Sequence, residues 1–511
     1  MKQEFLPKRI ILTTAAKGSP KAIEVANRIR QLDPNIPTVD VRSANNDRSW
    51  RRLSVPQRWK YRKESIILAE RGEPFITTFA SPGKIVEDIG TLLNLTFHCA
   101  SDCEFCYLQT VMPPAHIIYT NVARLESEIA VEPFAHRAIL TLWTVVSFAQ
   151  RQRLLKIPHN FNVAAGYLRE QFQGNSISKD EDAIELLYHL MHSDKDVLYK
   201  KFLTKKERKS LYGIGEGSED EQSPLLKKSC FRVNKKRLAH YYSENKKYRP
   251  RLNTSEFTDF IAIDHLANNA PQLMNLLHKY PDFELGFRTK SAFVDELLSY
   301  DGDNRVRIAI NFNTEHVINK YEHCTATLSE RLLAAKKVQQ AKGFGLKVVV
   351  EPIIIYPGWI EDYSNLIDKI IKTIKPNQVV DYTFGTVRYG KKLQQRIIRN
   401  FSTSDLFDSS QSLSKPEGDT KMRYDEKKRV EVYTAMFKQV RGASSNSVLR
   451  LSAESESLWD MTGLDKDKHL GKSVFQFSQL KAAESEQENG RERRKMKVGS
   501  RGFRDKGRKK E

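Results

Sequence analysis

Apolar and polar positions along the first ninety residues follow two rhythms. Arg9–Ala15 (RIILTTA) and Pro37–Val41 are short apolar runs bounded by polar residues, which predicts two strands. Between them Ile23, Val25, Ala26, Ile29 and Leu32 recur at helical spacing over Lys21–Leu32. Residues 1–88 therefore read as a small N-terminal α/β domain. The first apolar stretch is too short, and too poor in small residues at its end, for a signal peptide.

A longer alternation starts near residue 89. Strands are predicted at Leu92–Cys99, Phe260–Leu266 (FIAIDHL), Glu284–Thr289, Val306–Phe312, Lys347–Tyr356 and Val379–Arg388. Helices are predicted between them at Pro271–Tyr280, Ala292–Tyr300, Ser329–Lys342 and Ile360–Ile374. The runs are apolar on both faces, as strands of a parallel sheet covered by helices must be. Six such units predict a partial barrel of TIM type over residues 89–395, with its site at the C-terminal ends of the strands.

The alternation lapses between the first and second units. Residues 131–254 are charged and helical in period, with helices at Ala138–Lys156 and Asp182–His192, and read as an insertion. Residues 396–480 read as a C-terminal α/β extension with a helix over Tyr424–Arg441 and a strand over Val448–Ser452. The tail 481–511 loses its apolar residues and is expected to be disordered. The predicted fold class is thus α/β: a partial (β/α)6 barrel with an N-terminal α/β domain, a helical insertion and a basic tail.

Composition narrows the class. The chain has 511 residues, 40% of them apolar, which is globular usage with room for a large core. Its best apolar run, Ala138–Ala149, has 12 residues, whereas a span needs roughly 18. Five cysteines in such a length are no disulfide framework, so a reducing, cytoplasmic setting is expected.

The formal charge of +21 is concentrated in three stretches. Residues 42–63 carry +7, 227–251 carry +9 and 491–511 carry +8, leaving the rest slightly negative. Trp50, Trp59 and Tyr61 interleave the first, and Phe231, Tyr241, Tyr242 and Tyr248 the second. Basic patches with aromatic partners suit phosphate contact plus base stacking, so a nucleic acid is the expected partner. The alternative is solvated helix faces and a solubilising tail.

Three of the five cysteines, Cys99, Cys103 and Cys106, form C-x3-C-x2-C directly after the first predicted barrel strand. Three thiolates without a second pair suit a [4Fe–4S] cluster with one iron left open. The alternatives are a zinc site completed by His98 and three unrelated buried cysteines. Other candidates lie at predicted strand ends. Asp264 and His265 end the second predicted strand, for proton transfer, orientation of a bound group, or a structural hydrogen bond. Glu351 sits within the fifth, where a carboxylate must be paired or face the mouth. Arg388 ends the sixth and suits a phosphate or carboxylate, or a closing ion pair. His316, His323 and Cys324 are a weaker metal-binding grouping.

These motifs resemble radical S-adenosylmethionine (SAM) enzymes. Cys99–Thr110 (CASDCEFCYLQT), Tyr119, Asn121, FIAIDHL, FRTK (Phe287–Lys290), INFN (Ile310–Asn313), Pro352–Trp359 and Val387–Tyr389 are similar to the spore photoproduct lyase family. The resemblance implies a cluster on the three cysteines, with SAM on the open iron. It also implies reductive cleavage of SAM to a 5′-deoxyadenosyl radical, and hydrogen abstraction from a crosslinked thymine pair in DNA. A flavodoxin, ferredoxin or reductase would supply the electron. Lys290 matches a family lysine at the SAM site. Asn311 falls where the family has a SAM-contacting serine, and Asn313 is carried with it as a cofactor contact. Glu351 and Arg388 are further candidate contacts to SAM.

Two departures bear on the chemistry. The family cysteine that returns a hydrogen atom to the product radical is Glu256 here, and Phe105 replaces one of two tyrosines flanking the third cysteine. Tyr107, Cys324 and Cys230 are the remaining candidate donors, and Tyr107, Cys324, Asp264 and His265 form the expected catalytic set. The insertion has no counterpart in the compact lyases. Two alternatives stand beside lesion repair: a radical SAM enzyme that modifies RNA or a protein, and a non-enzymatic nucleic-acid-binding protein with a structural metal.

Overall fold

A computed structural model describes residues 5–44, 52–79, 85–86, 90–110, 115–151, 161–192, 233–407, 413–414 and 421–464. Cys230, the predicted loop near residues 213–223 and the tail 481–511 lie outside the described residues.

The main sheet has eight strands. Gly90–Leu93, Arg251–Asn253, Glu284–Thr289, Val306–Phe312, Phe344–Ile353 and Asp381–Thr386 follow one another in space in chain order, all parallel. Leu449–Leu451 extends the sheet in parallel beyond the sixth, and Ile76–Phe79 pairs antiparallel to the first. Helices Ala270–Lys279, Leu328–Gln340 and Trp359–Thr373 return the chain between strands. Their inner residues, such as Leu273, Ala335 and Ile367, join Ile308, Val348 and Phe384 in one core. Among the described strands the ends of the sheet do not pair, so it is an open, six-unit parallel array carrying a seventh strand.

The predicted second strand is corrected. FIAIDHL is the helix Phe260–Ala267, and the second strand is the preceding Arg251–Asn253. Asp259 caps this helix by accepting from the Ala262 amide at 3.1 Å, and Asn268, at φ 50°, closes it. The helix is apolar over most of its surface because it is buried on both sides. Phe260 and Ile261 pack in the barrel core, while Ile263, Leu266 and Ala267 pack against Ile10, Val25 and Ile66 of the N-terminal unit.

The first predicted strand divides. Gly90–Leu93 stays in the main sheet, while Thr96–Phe97 crosses to a second, five-stranded sheet and pairs antiparallel to His116–Tyr119. Asn94 makes the break: its amide donates to Phe75 O at 2.9 Å and its side chain to Phe75 O and Thr77 Oγ1, both at 3.0 Å. The second sheet also contains Arg9–Thr13, Thr38–Val41 and Ser65–Ala69. The N-terminal unit is therefore closed by strands that flank the cysteine loop, and the loop spans the two sheets.

Helices Leu125–Arg151, Phe161–Gly174, Asp180–His192 and Lys235–Glu244 make up the described part of the inserted region and share a core that includes Ala138, Leu168, Leu187 and Tyr242. A buried pair, Arg169 with Glu132 at 2.7 and 2.8 Å, lies between two of them, and Arg169 also donates to Thr78 on the edge strand. Among the described residues no helix is long and apolar enough to cross a membrane.

Candidate active site at the cysteine loop

The loop from Cys99 to Cys106 is fixed on several sides. His98 enters it at φ 70°. Lys63 donates to Cys99 O at 2.9 Å and to Ser101 O, and Trp59 Nε1 donates to Asp102 at 3.1 Å. Glu104 accepts from His323 at 2.7 Å and donates its amide to Tyr321 O at 2.9 Å. Cys103 forms an isolated backbone bridge with Glu322. Gln109, on the following turn Tyr107–Thr110, donates to Cys103 O at 3.4 Å and accepts from Asn400 at 2.9 Å.

The three thiols are neighbours and none is in a disulfide. Burial pushes the Cys99 thiol up to about 11 and raises Cys103 and Cys106 as well. Lys63 or Lys290, or both, oppose that rise at each thiol. Such thiols become thiolates when a metal compensates the charge. Among the described residues no three His, Cys, Asp or Glu side chains close on a single-ion position. A four-iron cluster spreads its thiolates over separate irons, and three cysteines are the donor set for such a cluster with one iron left open. His98, the proposed fourth zinc ligand, has its Nε2 3.4 Å from the Arg62 guanidinium.

Lys290 stands beside this loop. Its Nζ is 3.8 Å from Glu322 and 5.6 Å from the Phe105 ring centroid. Glu322 is held by the fully buried Arg331 at 2.5 Å, which also donates to Asn311 O at 2.8 Å. Asn311 is buried and its Oδ1 has no donor among the described residues, so an acceptor is left at the end of the fourth strand.

A second set of polar groups lies along the strand ends. Glu351 is clasped by Arg288, by Arg388 at 2.7 Å and by Ser452 at 2.8 Å. Burial alone would raise its carboxyl, but Arg388 and Arg288 hold it well below the usual carboxylate range. Gly385 makes room for it, since a Cβ there would meet Glu351 Oε1 at 2.7 Å. The Tyr107 hydroxyl donates to Glu256 O at 2.5 Å, with Glu256 Oε1 at 3.4 Å. Tyr107, Glu256 and Arg288 stay accessible to solvent while protein surrounds them closely enough to raise the Glu256 carboxyl and the Tyr107 hydroxyl, as in an open cleft.

The structure gives several of the predicted site residues other partners. Asp264 is buried and accepts from the amides of Asn269 at 2.8 Å and Ala270 at 3.0 Å, so it caps the next helix. His265 has Nε2 3.0 Å from Phe5 O and joins the N-terminal segment. Both line a cavity of about 150 Å³ with Phe293, Asp295 and Glu296, to which neither the thiols nor Lys290 contribute. Asn313 donates to Pro352 O and accepts from Tyr363, both at 2.8 Å, which commits it to tying the fourth strand to the fifth. His316 stacks on Tyr356 and His323 pairs with Glu104, so their predicted metal grouping with Cys324 does not form. Cys324 is exposed, at φ 37° on the turn after Glu322.

The basic patches are also revised. In 42–63, Trp59 and Arg62 are buried and Lys63 holds the cysteine loop, so they brace the site from beneath. In 227–251, Tyr242 and Tyr248 are buried, while Lys235, Lys236 and Arg237 are exposed. Arg288, Ser452, Glu322 and Arg331 were not singled out from sequence. For Arg288 there was a signal: an arginine near the end of a buried parallel strand, on the same side of the pleat as Lys290 two residues on.

Residues 233–449 match the family model for spore photoproduct lyase. The spore photoproduct lyase of Bacillus subtilis (strain 168) is 30% identical over 168 residues, 32% of this chain and 49% of that one. That of Geobacillus sp. (strain Y412MC61) is 29% identical over 149 residues, 29% of this chain and 43% of that one. The chain thus spans about half the length of the curated relatives it matches. A spore photoproduct lyase mutant solved with bound AdoMet and dinucleoside spore photoproduct superposes with a TM-score of 0.58 at 17% identity, covering 88% of this chain and 99% of that one. The lyase complexed with dinucleoside spore photoproduct gives 0.57 at 18% identity, with the same coverage. Sequence similarity over strands two to seven and fold similarity over most of the chain agree: residues 233–449 are similar to the spore photoproduct lyase family, and the chain shares the fold of the solved lyases.

Proposed function

We propose that the chain is a radical SAM enzyme that acts on a nucleic acid, with UV-induced thymine lesions in DNA as its substrate. The observation that carries this reading is the meeting of Cys99, Cys103 and Cys106 with Lys290 beside the C-terminal ends of a parallel strand array.

The three cysteines would hold the [4Fe–4S] cluster. A reduced cluster of this type supplies the electron that cleaves the carbon–sulfur bond of SAM. Lys290 offers its ammonium to the SAM carboxylate, and Asn311 offers its unpartnered Oδ1 to an amino or hydroxyl group. Arg331 keeps Glu322 from competing fully for Lys290, because it takes one carboxylate oxygen itself. Arg288 and Arg388, gathered on Glu351, present guanidinium charge to a phosphate or SAM. Tyr107 sits in the open cleft, where it can exchange a hydrogen atom while Glu256 orients its hydroxyl. Cys324 is the second candidate donor. The exposed cations of helix Lys235–Glu244 are proposed to contact DNA phosphates, together with the tail 491–511.

Glu256 in place of the donor cysteine favours a second reading, in which the same radical start modifies another substrate, RNA or a protein. The test is anaerobic reconstitution followed by 5′-deoxyadenosine release with SAM and dithionite. UV-irradiated DNA should stimulate release and lose its thymine lesion. Release stimulated by RNA or protein, with the irradiated DNA unrepaired, would leave the second reading standing instead. A reconstituted protein with no iron and no 5′-deoxyadenosine would end both.

A further inference from the structure

The cysteine loop has two faces. Its inner face carries Tyr107, turned to Glu256, and has Lys290 beside it. Its outer face is covered by two helices. Val55–Lys63 reaches it through Trp59 and Lys63, and Lys391–Asn400 reaches it through Asn400, which donates to Gln109 at 2.9 Å. Phe401, just after the second helix, lies edge-on to Trp59 with ring centroids 6.1 Å apart and 5.6 Å from the His323 ring.

Both helices are cationic and neither contains an acid: VPQRWKYRK and KKLQQRIIRN. They lie close enough that Arg396 depresses the buried Arg62 guanidinium, after the larger effect of burial, to about 10. Lys60, Lys391, Lys392 and Arg399 are exposed and have no carboxylate partner among the described residues. Ile398, 56% exposed, lies among them. Unpaired like charges held together oppose the fold, so this cluster calls for a partner of opposite sign.

We propose that the outer surface made by helices Val55–Lys63 and Lys391–Asn400 is the docking site for an acidic one-electron carrier protein, which reduces the cluster through the cysteine loop. The inference rests on the radical SAM reading. Electron transfer between proteins falls off steeply with distance, so a carrier must sit on a surface that touches the loop, and this one does. Helices of nine and ten residues are each about 14 Å long, which suits the small, charge-steered encounters of redox partners. A DNA duplex is the other polyanion to consider. The lesion must reach the inner face, and the footprints of DNA complexes are larger. The reaction balances simply: the reduced carrier loses one electron, the oxidised cluster gains it, and no bond is made at the interface.

The test uses the reconstituted full chain and reversal of three exposed charges, Lys391→Glu, Lys392→Glu and Arg399→Glu together. None of these residues touches the cysteines or the inner face. The probe is a flavodoxin, used oxidised for equilibrium binding and reduced for turnover. Binding to the parent should weaken with salt. The variant should bind roughly tenfold or more weakly and lose flavodoxin-driven 5′-deoxyadenosine formation in proportion. Its far-ultraviolet dichroism, iron content and dithionite-driven rate should match the parent. Unchanged flavodoxin affinity in a folded variant would overturn the proposal, as would loss of duplex DNA binding with flavodoxin binding intact. Absence of 5′-deoxyadenosine with dithionite in the parent would refute the radical SAM reading itself, and the binding measurement would still report on the surface.

Discussion

The Tyr107 hydroxyl donates to the backbone oxygen of Glu256 at 2.5 Å, with the Glu256 carboxylate 3.4 Å away. The residue after the third cysteine is thereby joined to the segment following the second strand, where the lyases carry their donor cysteine. A carboxylate O–H bond is too strong to return a hydrogen atom, whereas a phenol or thiol can. Tyr107→Phe should leave iron content and SAM cleavage intact but lower the product formed per 5′-deoxyadenosine released. Glu256→Cys should raise that ratio by restoring a thiol at the same place. Product and 5′-deoxyadenosine counted in one reaction check both, and a ratio unmoved by either change would assign the donor elsewhere, to Cys324 first.

Cys103 is the most buried of the three thiols, and its backbone bridge to Glu322 ties the loop to the fourth unit. Cys103→Ala should cut iron from roughly four per chain to a small fraction after reconstitution, and bleach the broad absorbance near about 400 nm. The fold should persist, because neighbouring main-chain contacts hold the loop. A variant with full iron would remove Cys103 from the ligand set.

Lys290 lies 3.8 Å from Glu322 and has no closer carboxylate among the described residues, so its charge is only partly met. Lys290→Ala should weaken SAM binding by about 1.5–3 kcal/mol, or roughly 10–100-fold. Equilibrium binding to the reconstituted protein measures this without turnover, and Lys290→Arg should recover part of the loss. Equal affinity in parent and alanine variant would mean that the SAM carboxylate is held elsewhere.

Legibility from sequence followed local chemistry. The third to sixth strands were readable because each is a run of buried β-formers followed by an amphipathic helix, as in Val306–Phe312 and Leu328–Gln340. The second strand, Arg251–Asn253, was not, since Leu252 is its only buried residue. FIAIDHL misled because a short run whose first four residues are all apolar has no period of its own. Its helical state is set by Asp259 at one end and burial between two cores. The cysteine spacing located the candidate cluster site, but the groups that shape it came from distant segments. Trp59 and Lys63 read as part of a nucleic-acid patch and proved to be the underside of the loop. Arg288 and Ser452 became visible only when Glu351 drew them together across the sheet.

Glu351 is the charge on which two arginines converge. Glu351→Gln would leave Arg388 and Arg288 facing one another without a counter-ion. Arg388 is largely enclosed and Arg288 is not, so solvent softens the loss to about 2–3 kcal/mol at neutral pH. The pH dependence has a definite sign. A carboxyl held below its unfolded value stabilises the fold above about 4.5 and loses that contribution as pH falls through its folded value. Thermal unfolding should show the parent losing more stability than the glutamine variant between pH 5 and the acid limb. Parallel curves would mean that the clasp is not what anchors Glu351.

Asp264 titrates in the opposite sense. Burial pushes its carboxyl up to about 7, with Glu296 adding to the rise, although the amides of Asn269 and Ala270 favour the charged form. The folded protein thus holds this proton where the unfolded chain has released it. Its contribution is full below the unfolded value, near about 4, and is lost as pH rises toward 7. Asp264→Asn keeps one acceptor and removes the titration, so its unfolding temperature should fall less than the parent's between pH 5 and pH 8. Asp264→Ala removes both acceptors and should cost about 1–2 kcal/mol at any pH through loss of the helix cap. Hydrogen exchange should place that loss in the first turn of helix Ala270–Lys279. If the parent and the asparagine variant follow the same course from pH 5 to 8, Asp264 is ionised throughout, and the two amide bonds outweigh its burial.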